Sequence, residues 1–202
     1  LALLALGVGK GDSVILPSYV CASPLHAVNY CGAQPVIVDI DPRTFNMTPE
    51  AVKKKLARMP KPPKAIIAVH QFGLPCQITE LTALGIPVIE DCAASIGGSL
   101  HGRPLGSYGI VSVFSFYSTK MVAGGKGGAV ATSDPKLFEI LVQLCRYDEM
   151  PEYSVAYNYR ISALNAILVL AQLSKLKRFI AVRQRIARRY YSYLCNSHLK
   201  LP

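Results

Sequence analysis

Residues 114–120 have the sequence Phe-Ser-Phe-Tyr-Ser-Thr-Lys, and residues 124–128 follow closely as Gly-Gly-Lys-Gly-Gly. The apolar residues from Val111 to Phe116 predict a short buried strand that runs into a polar turn carrying one lysine. Lys120 is therefore expected where the edge of a sheet meets a loop. A lysine at such a place either extends its amine to solvent from an apolar surface or keeps that amine available for chemistry.

Five further apolar segments predict strands, with helical segments between most of them. Apolar strands that alternate with helices are typical of a parallel sheet covered on both faces, so the sequence predicts an α/β domain with a mainly parallel sheet flanked by helices. Ligands of such sheets bind beyond the carboxyl ends of the strands. His70, Asp91 and the Thr119–Lys120 turn each follow a strand, and they could converge there. The further strands are predicted at residues 14–17, 36–40, 65–69, 87–91 and 127–132.

Helices are predicted between these strands and after the last one. Thr48 can cap a helix that begins with Pro49 and Glu50, because proline suits the first helical position and an acid complements the helix dipole. After Ser162, apolar residues recur at helical spacing and predict one long helix to about Leu194. The other helices are predicted at residues 1–6, 24–31, 48–59, 77–84 and 135–146.

The chain of 202 residues carries a formal net charge of +10, and much of it is concentrated in the C-terminal segment. Seven cationic side chains there could attract an anionic partner such as phosphate, a nucleotide or nucleic acid. A solvated helix face is the plainer interpretation and the one we favour, so no nucleic-acid partner is expected. The seven are Lys175, Lys177, Arg178, Arg183, Arg185, Arg188 and Arg189.

Composition and cysteine usage indicate a globular protein of the cytoplasm. The longest apolar run, residues 1–6, is far shorter than the roughly 20 residues that span a bilayer and carries no basic residues, so neither a membrane helix nor a signal peptide is expected. The six cysteines form no CxxC pair, and four or more of them lie in apolar surroundings that suit buried free thiols. The four histidines do not cluster with the cysteines at metal-binding spacing, so no metal site is expected.

Asp91 ends an apolar strand, where burial of an unpaired carboxylate is costly. It either caps a loop or faces a cationic or hydrogen-bonding group. Together with Lys120 after a later strand and the hydroxyl of Ser115, it completes a set of three functions: an acid for a pyridinium nitrogen, an amine for a Schiff base and a hydroxyl for a phosphate. These are the parts of a pyridoxal 5'-phosphate site.

Six stretches resemble the DegT family of pyridoxal-phosphate-dependent nucleotide-sugar aminotransferases, and they keep the family's order and spacing to about Leu176. The resemblance implies the aspartate-aminotransferase-like fold (fold type I) and transfer of an amino group from an amino acid, glutamate by expectation, to a keto group on a nucleotide-linked sugar. No membrane association is expected. The matching stretches are residues 11–19, 32–39, 64–70, 87–91, 114–120 and 157–160.

The resemblance also assigns roles. Lys120 is implied as the catalytic lysine that bonds to the cofactor and moves the proton, Asp91 as the partner of the pyridine nitrogen, and Ser115 as a donor to the phosphate. Asn158 is implied to reach the phosphate of the cofactor bound to the partner subunit, so a homodimer is expected. The glycines of residues 124–128 are expected to let the backbone pass close to the site.

Departures from the family pattern keep a second hypothesis open. At the cofactor-binding positions, Ala94 stands where the family usually carries Gln or His against the ring oxygen, and Cys21 stands where an aromatic usually stacks on the ring. Lys126, Ala163 and Asn165 also differ from the usual residues. The alternative is a weak or inactive relic, or a partner subunit, of the same fold.

Length adds to this alternative, since family members are roughly twice as long. We expect a chain truncated at both ends, with residues 1–160 as part of the cofactor-binding large domain. Residues 161–202 are expected to form the long helix that leads toward a small C-terminal domain.

Overall fold

Six strands form one mainly parallel sheet with the order β2-β1-β3-β4-β7-β8, which confirms the predicted α/β class. The computed structural model describes residues 1–148, 152–195 and 198. All neighbouring strands are parallel except β7 and β8, which pair antiparallel. The sheet strands are β1 Ser13–Pro17, β2 Gln34–Val38, β3 Ala65–Val69, β4 Val88–Asp91, β7 Val111–Ser115 and β8 Gly128–Ala131, and a small hairpin joins β5 Ser99–Leu100 to β6 Arg103–Pro104.

Helices cover both faces of the sheet. Thr48 caps α3, where its hydroxyl oxygen accepts from the backbone N–H of Ala51, and Pro49 is the first helical residue. Asp134 caps α5 in the same manner by accepting from the N–H groups of Lys136 and Leu137. The helices are α1 Ala2–Ala5, α2 Ala22–Tyr30, α3 Pro49–Leu56, α4 Ile78–Thr82, α5 Pro135–Cys145, α6 Ala163–Leu173 and α7 Leu176–Leu194, with a 3-10 turn at Gln71–Gly73.

Two apolar layers sandwich the sheet because successive residues of a strand point to opposite faces. In β1, Val14 and Leu16 face the layer formed with α1, α2 and α5. Ile15 between them faces the layer formed with α3 and α4. This double burial explains why the strands are apolar throughout. Because five of the strands are parallel, their carboxyl ends, where polar residues follow, lie at the same end of the sheet.

The prediction of one continuous helix from Ser162 to Leu194 is wrong, since the helix divides into α6 and α7 at Ser174 and Lys175. The hydroxyl of Ser174 donates to the carbonyl of Ala171, and Lys175 N–H bonds only three residues back, to Gln172. A serine hydroxyl that competes for backbone carbonyls favours such a break. Within the predicted segment 161–202, residues 196, 197 and 199–202 lie outside the described residues.

The six cysteines are free, as predicted, but only Cys76 and Cys92 are fully buried. The expectation of four or more buried thiols is therefore wrong. Cys21 and Cys195 are exposed because they lie at helix ends, at the N-cap of α2 and the C-cap of α7. Among the described residues, no helix combines the length and the apolar character needed to cross a bilayer.

Candidate active site

A cavity of about 500 Å³ opens at the carboxyl ends of β4 and β7. Four of the six predicted site residues line it: Cys21, Asp91, Ser115 and Lys120. Asp91 is the last residue of β4 and Ser115 the last of β7, while Cys21 caps α2 just after β1. Parallel strands bring these positions together although up to 99 residues separate them in the chain.

The carboxylate of Asp91 is the most buried charged group of the cavity, at 8% exposure. Its Oδ1 accepts from the backbone N–H of Ala93 at 2.9 Å, and within the described part of the chain Oδ2 accepts no hydrogen bond. Burial raises the pKa of Asp91, while the Ala93 hydrogen bond and the charge of Lys120 oppose the rise. The geometry leaves one carboxylate oxygen open to a donor in the cavity.

Lys120 lies in a loop whose base is closed by two backbone hydrogen bonds. Phe116 N–H donates to the carbonyl of Gly127 at 2.9 Å, and Gly124 N–H donates to the carbonyl of Phe116 at 2.8 Å. Within the loop, Lys120 N–H donates to the carbonyl of Tyr117 at 2.9 Å and forms a tight turn. These contacts direct the half-buried lysine into the cavity wall.

Ser115 keeps its hydroxyl proton available. Its Oγ accepts from the backbone N–H of Tyr117 at 3.3 Å, and the hydroxyl donates to no described residue. A hydroxyl of this kind can donate to an anionic oxygen.

Ala94 and Asn158 do not line the cavity. Both side chains are exposed. Ala93 lines the cavity beside Asp91 in place of Ala94. Asn158 precedes α6 and lies outside this cavity of its own chain.

Tyr19 does not supply the aromatic contact that Cys21 lacks. Its ring packs at 5.3 Å from the ring of Phe45 and 6.2 Å from that of Phe72, and it is absent from the cavity wall. The three rings form an exposed aromatic cluster at the same edge of the sheet. The wall that α2 and its N-cap contribute to the cavity consists of the compact side chains of Cys21, Ser23, Pro24 and Ala27.

Sequence reasoning missed the role of Glu90, which points to the opposite face of β4 from Asp91. Its carboxylate accepts from His70 Nε2 and from the backbone N–H groups of Gly106, Tyr108 and Gly109. The acid inside an otherwise apolar strand was the available signal. His70 is thus held behind the sheet and does not join the cavity, contrary to the idea that it converges there with Asp91 and Lys120.

The side chains of His70, Glu90 and Cys92 lie close enough for a metal site, with candidate ligand atoms within 4.8 Å of one another. Four hydrogen bonds already occupy the carboxylate of Glu90, and Nδ1 of His70 accepts from Cys76 N–H at 3.2 Å. Burial raises the pKa of the Cys92 thiol to about 12, so the thiol stays protonated. The cluster is explained by hydrogen bonding, and the thiol fits the expected buried cysteine better than a nucleophile.

The cavity fits a pyridoxal phosphate in chemistry and size. It presents an amine, an open carboxylate oxygen and a hydroxyl, which match an aldehyde, a pyridinium nitrogen and a phosphate. Its volume lies within the roughly 300–1,000 Å³ of typical small-molecule sites. The residues present are therefore suited to this cofactor.

Known proteins resemble the chain over 93% to 100% of its length. It is 37% identical over 210 aligned positions to a UDP-N-acetyl-3-dehydro-alpha-D-glucosamine 3-aminotransferase of Acidithiobacillus ferrooxidans, covering 100% of this chain and 56% of that protein. It is 35% identical over 196 positions to a GDP-perosamine synthase of Escherichia coli O157:H7, covering 93% of this chain and 53% of that protein. A solved aminotransferase from Brucella abortus superposes with a TM-score of 0.93 at 33% identity, covering 100% of this chain and 58% of that one.

These comparisons confirm the fold and the resemblance that the motifs indicated. The chain spans about half the length of the curated relatives it matches. The sequence model of one family, the DegT/DnrJ/EryC1/StrS aminotransferases, matches residues 1–201. The chain belongs to this aminotransferase family.

Proposed function

We propose that the protein transfers an amino group from an amino acid, glutamate by expectation, to a keto group on a nucleotide-linked sugar, with pyridoxal 5'-phosphate as cofactor. The observation that carries the proposal is the shared cavity of Lys120, Asp91 and Ser115. The relatives support the substrate class, because the names of the two curated relatives refer to sugars linked to GDP or UDP.

Bound pyridoxal phosphate would supply an electron sink for the carbon from which a proton is removed. Asp91 Oδ2 would accept a hydrogen bond from the ring nitrogen and stabilise its positive charge, since this oxygen has no other donor in the described chain. The hydroxyl of Ser115 would donate to a phosphate oxygen. Lys120 Nζ would move a proton from the α-carbon of the donor amino acid to C4′ of the cofactor, and in the second half of the transfer from C4′ to the sugar carbon that receives the amino group.

The working unit in this proposal is a cytoplasmic homodimer. Asn158 is exposed and lies outside the cavity of its own chain, which is consistent with a role at the cofactor phosphate of a partner subunit. The neighbouring helix α6 exposes Leu164 at 77% and Ile167 at 62%, an apolar surface that a second copy could cover. Among the described residues, those that line the cavity extend no further along the chain than Val130, which supports residues 1–160 as the cofactor-binding unit.

A relic of the same fold, or a non-catalytic partner subunit, is the second candidate. Ala94 and the cavity residue Cys21 motivate it, because the methyl group of Ala94 cannot donate to the ring oxygen and the thiol of Cys21 cannot stack on the ring as an aromatic does. Such a protein could still hold the cofactor through Lys120 without completing amino transfer.

Borohydride reduction of the purified chain with added pyridoxal phosphate tests the proposal. We expect a single reduced cofactor on Lys120 by peptide mass spectrometry, no label in Lys120→Ala and full label in the control Lys126→Ala, whose lysine is exposed in the same loop. Absence of label on Lys120 in the wild-type chain would sink the proposal. Label without amination of any nucleotide-linked keto sugar, with glutamate as donor, would identify the relic.

A further inference from the structure

Helix α6 lies across the glycine loop that follows Lys120. In α6 the contact is formed by Asn165 and Val169, and Ile161, which lies just before the helix and four residues from Asn165, extends it. A Cβ added to Gly127 would lie 2.6 Å from Cδ1 of Ile161, and one added to Gly125 would lie 3.0 Å from Nδ2 of Asn165. The glycines of this loop therefore let a helix approach closely, in addition to any role beside the cofactor.

Asn165 is the polar member of this face, and its amide orientation is determined by its neighbours. The hydroxyl of Ser162 donates to Oδ1 of Asn165 at 2.5 Å, and the backbone N–H of Asn165 donates to the same hydroxyl oxygen at 3.2 Å. Because Oδ1 already faces a donor, Nδ2 is the atom turned toward the loop. There it donates to the carbonyl of Gly124.

Gly124 lies at the end of the loop that carries Lys120, opposite Phe116 at its start. Its N–H donates to the carbonyl of Phe116 at 2.8 Å, and its carbonyl accepts from Asn165. Phe116 and Gly124 each lie four residues from Lys120 in the chain. Asn165 thus connects the closing point of the loop to a helix 41 residues away from Gly124.

We propose that Asn165 is a positioning residue for Lys120, acting through the carbonyl of Gly124 and without touching the cavity. This inference rests on the proposed function for the role of Lys120, but the hydrogen-bonding contact itself exists in the chain without cofactor. Because the loop is held at both sides of its base, less conformational entropy is lost when the amine of Lys120 binds the cofactor. The contact from Asn165 therefore preorganises Lys120.

Hydrogen exchange of the cofactor-free chain tests the contact directly. Asn165→Asp keeps the shape and the acceptor for Ser162 but cannot donate to the carbonyl of Gly124. We expect the amides of Phe116 and Gly124 to exchange about tenfold faster, as expected for loss of one hydrogen bond, while Ile89 in β4 is unchanged. Gln172→Glu is the matched control because it makes the same chemical change on the same helix, and it is expected to exchange as wild type.

A second measurement uses the loaded protein. In Asn165→Asp we expect about tenfold slower labelling of Lys120 by cofactor and borohydride, and a lower kcat with an unchanged KM for the amino donor. Asn165→Ala gives an independent variant should the aspartate prevent folding. Unchanged exchange at Phe116 and Gly124, or faster exchange across the whole sheet, would overturn the positioning role. Absence of label on Lys120 in the wild-type chain would refute the proposed function and not the positioning role. In that case hydrogen exchange of the cofactor-free chain would still show whether Asn165 holds the loop.

Discussion

The imidazole of His70 donates from Nε2 to Oε2 of Glu90 over 3.0 Å, and both side chains are fully buried. Nδ1 of the same ring accepts from the backbone N–H of Cys76, so the proton of the neutral ring is on Nε2. The carboxylate thus receives one donor from the ring and three from the backbone of the loop at residues 106–109. This contact anchors that loop behind the strand that carries Asp91.

Glu90→Gln is expected to destabilise the chain by about 3 kcal/mol. Two donors reach each carboxylate oxygen, so either orientation of the glutamine amide leaves two buried donors facing an NH2 group. Urea denaturation measures the free energy of unfolding. Glu80→Gln, the same change at an exposed position of α4, is the control and is expected to stay within about 0.5 kcal/mol of wild type. Equal stability of the two variants would contradict the anchoring role.

The stability contributed by Glu90 is expected to disappear in acid. Burial alone would raise the pKa of Glu90, but the hydrogen bonds from His70 and from the loop backbone outweigh burial and lower it. In the unfolded chain the pKa of this carboxyl is about 4.3, and in the folded chain it is lower. The ionised side chain therefore contributes fully to the free energy of unfolding above the unfolded-state pKa, and this contribution is lost as the pH falls through the folded-state pKa. The difference in unfolding free energy between wild type and Glu90→Gln should therefore shrink below about pH 4. A difference that is constant from pH 7 to pH 3 would refute this.

Asp91 is expected to show the opposite pH dependence. Because burial raises the pKa of Asp91 in the folded chain, its contribution to the free energy of unfolding is greatest in acid and is lost as the pH rises through the folded-state pKa. Asp91→Asn keeps the acceptor for Ala93 N–H and removes the buried charge, so the cofactor-free chain should gain about 1 kcal/mol at pH 7. The same variant should bind pyridoxal phosphate more weakly, measured by titration of cofactor absorbance.

The exposed Asp148 provides the control for this experiment. Asp148→Asn should change neither the stability nor the cofactor affinity. If Asp91→Asn destabilised the cofactor-free chain at pH 7, the carboxylate would have a structural partner that the cavity geometry does not include.

Local patterns predicted the strands and the strand-end positions of Asp91, Ser115 and Lys120 because both depend on short-range features, whereas Cys21 was implied only by the family resemblance. A buried strand is apolar over its own length, and Asp91, Ser115 and Lys120 lie at or just beyond strand ends. The contacts of Glu90 and Asn165 were not predictable in the same way. The partners of Glu90, and Gly124 as partner of Asn165, lie 16 to 41 residues away, and only the folded chain brings them together. The division of the last helix was missed because its apolar period continues through Ser174.

The close packing of α6 on the glycine loop yields the last prediction. Gly124 is buried, and an added Cβ would clash with Cγ2 of Val169 and lie 3.3 Å from the carbonyl oxygen of Asn165. Its backbone is not left-handed, so the cost of Gly124→Ala comes from crowding and not from φ. We expect a loss of about 1–3 kcal/mol in the free energy of unfolding.

Two variants isolate this crowding. Gly9→Ala is the control, because its Cβ meets nothing within 4 Å and its φ is also ordinary, and it should stay within about 0.5 kcal/mol of wild type. Val169→Ala shortens the side chain that the new Cβ meets, so the double variant Gly124→Ala/Val169→Ala should lose less than the sum of the two single variants. Additive losses in urea denaturation would mean that Val169 is not the side chain that crowds a Cβ at position 124.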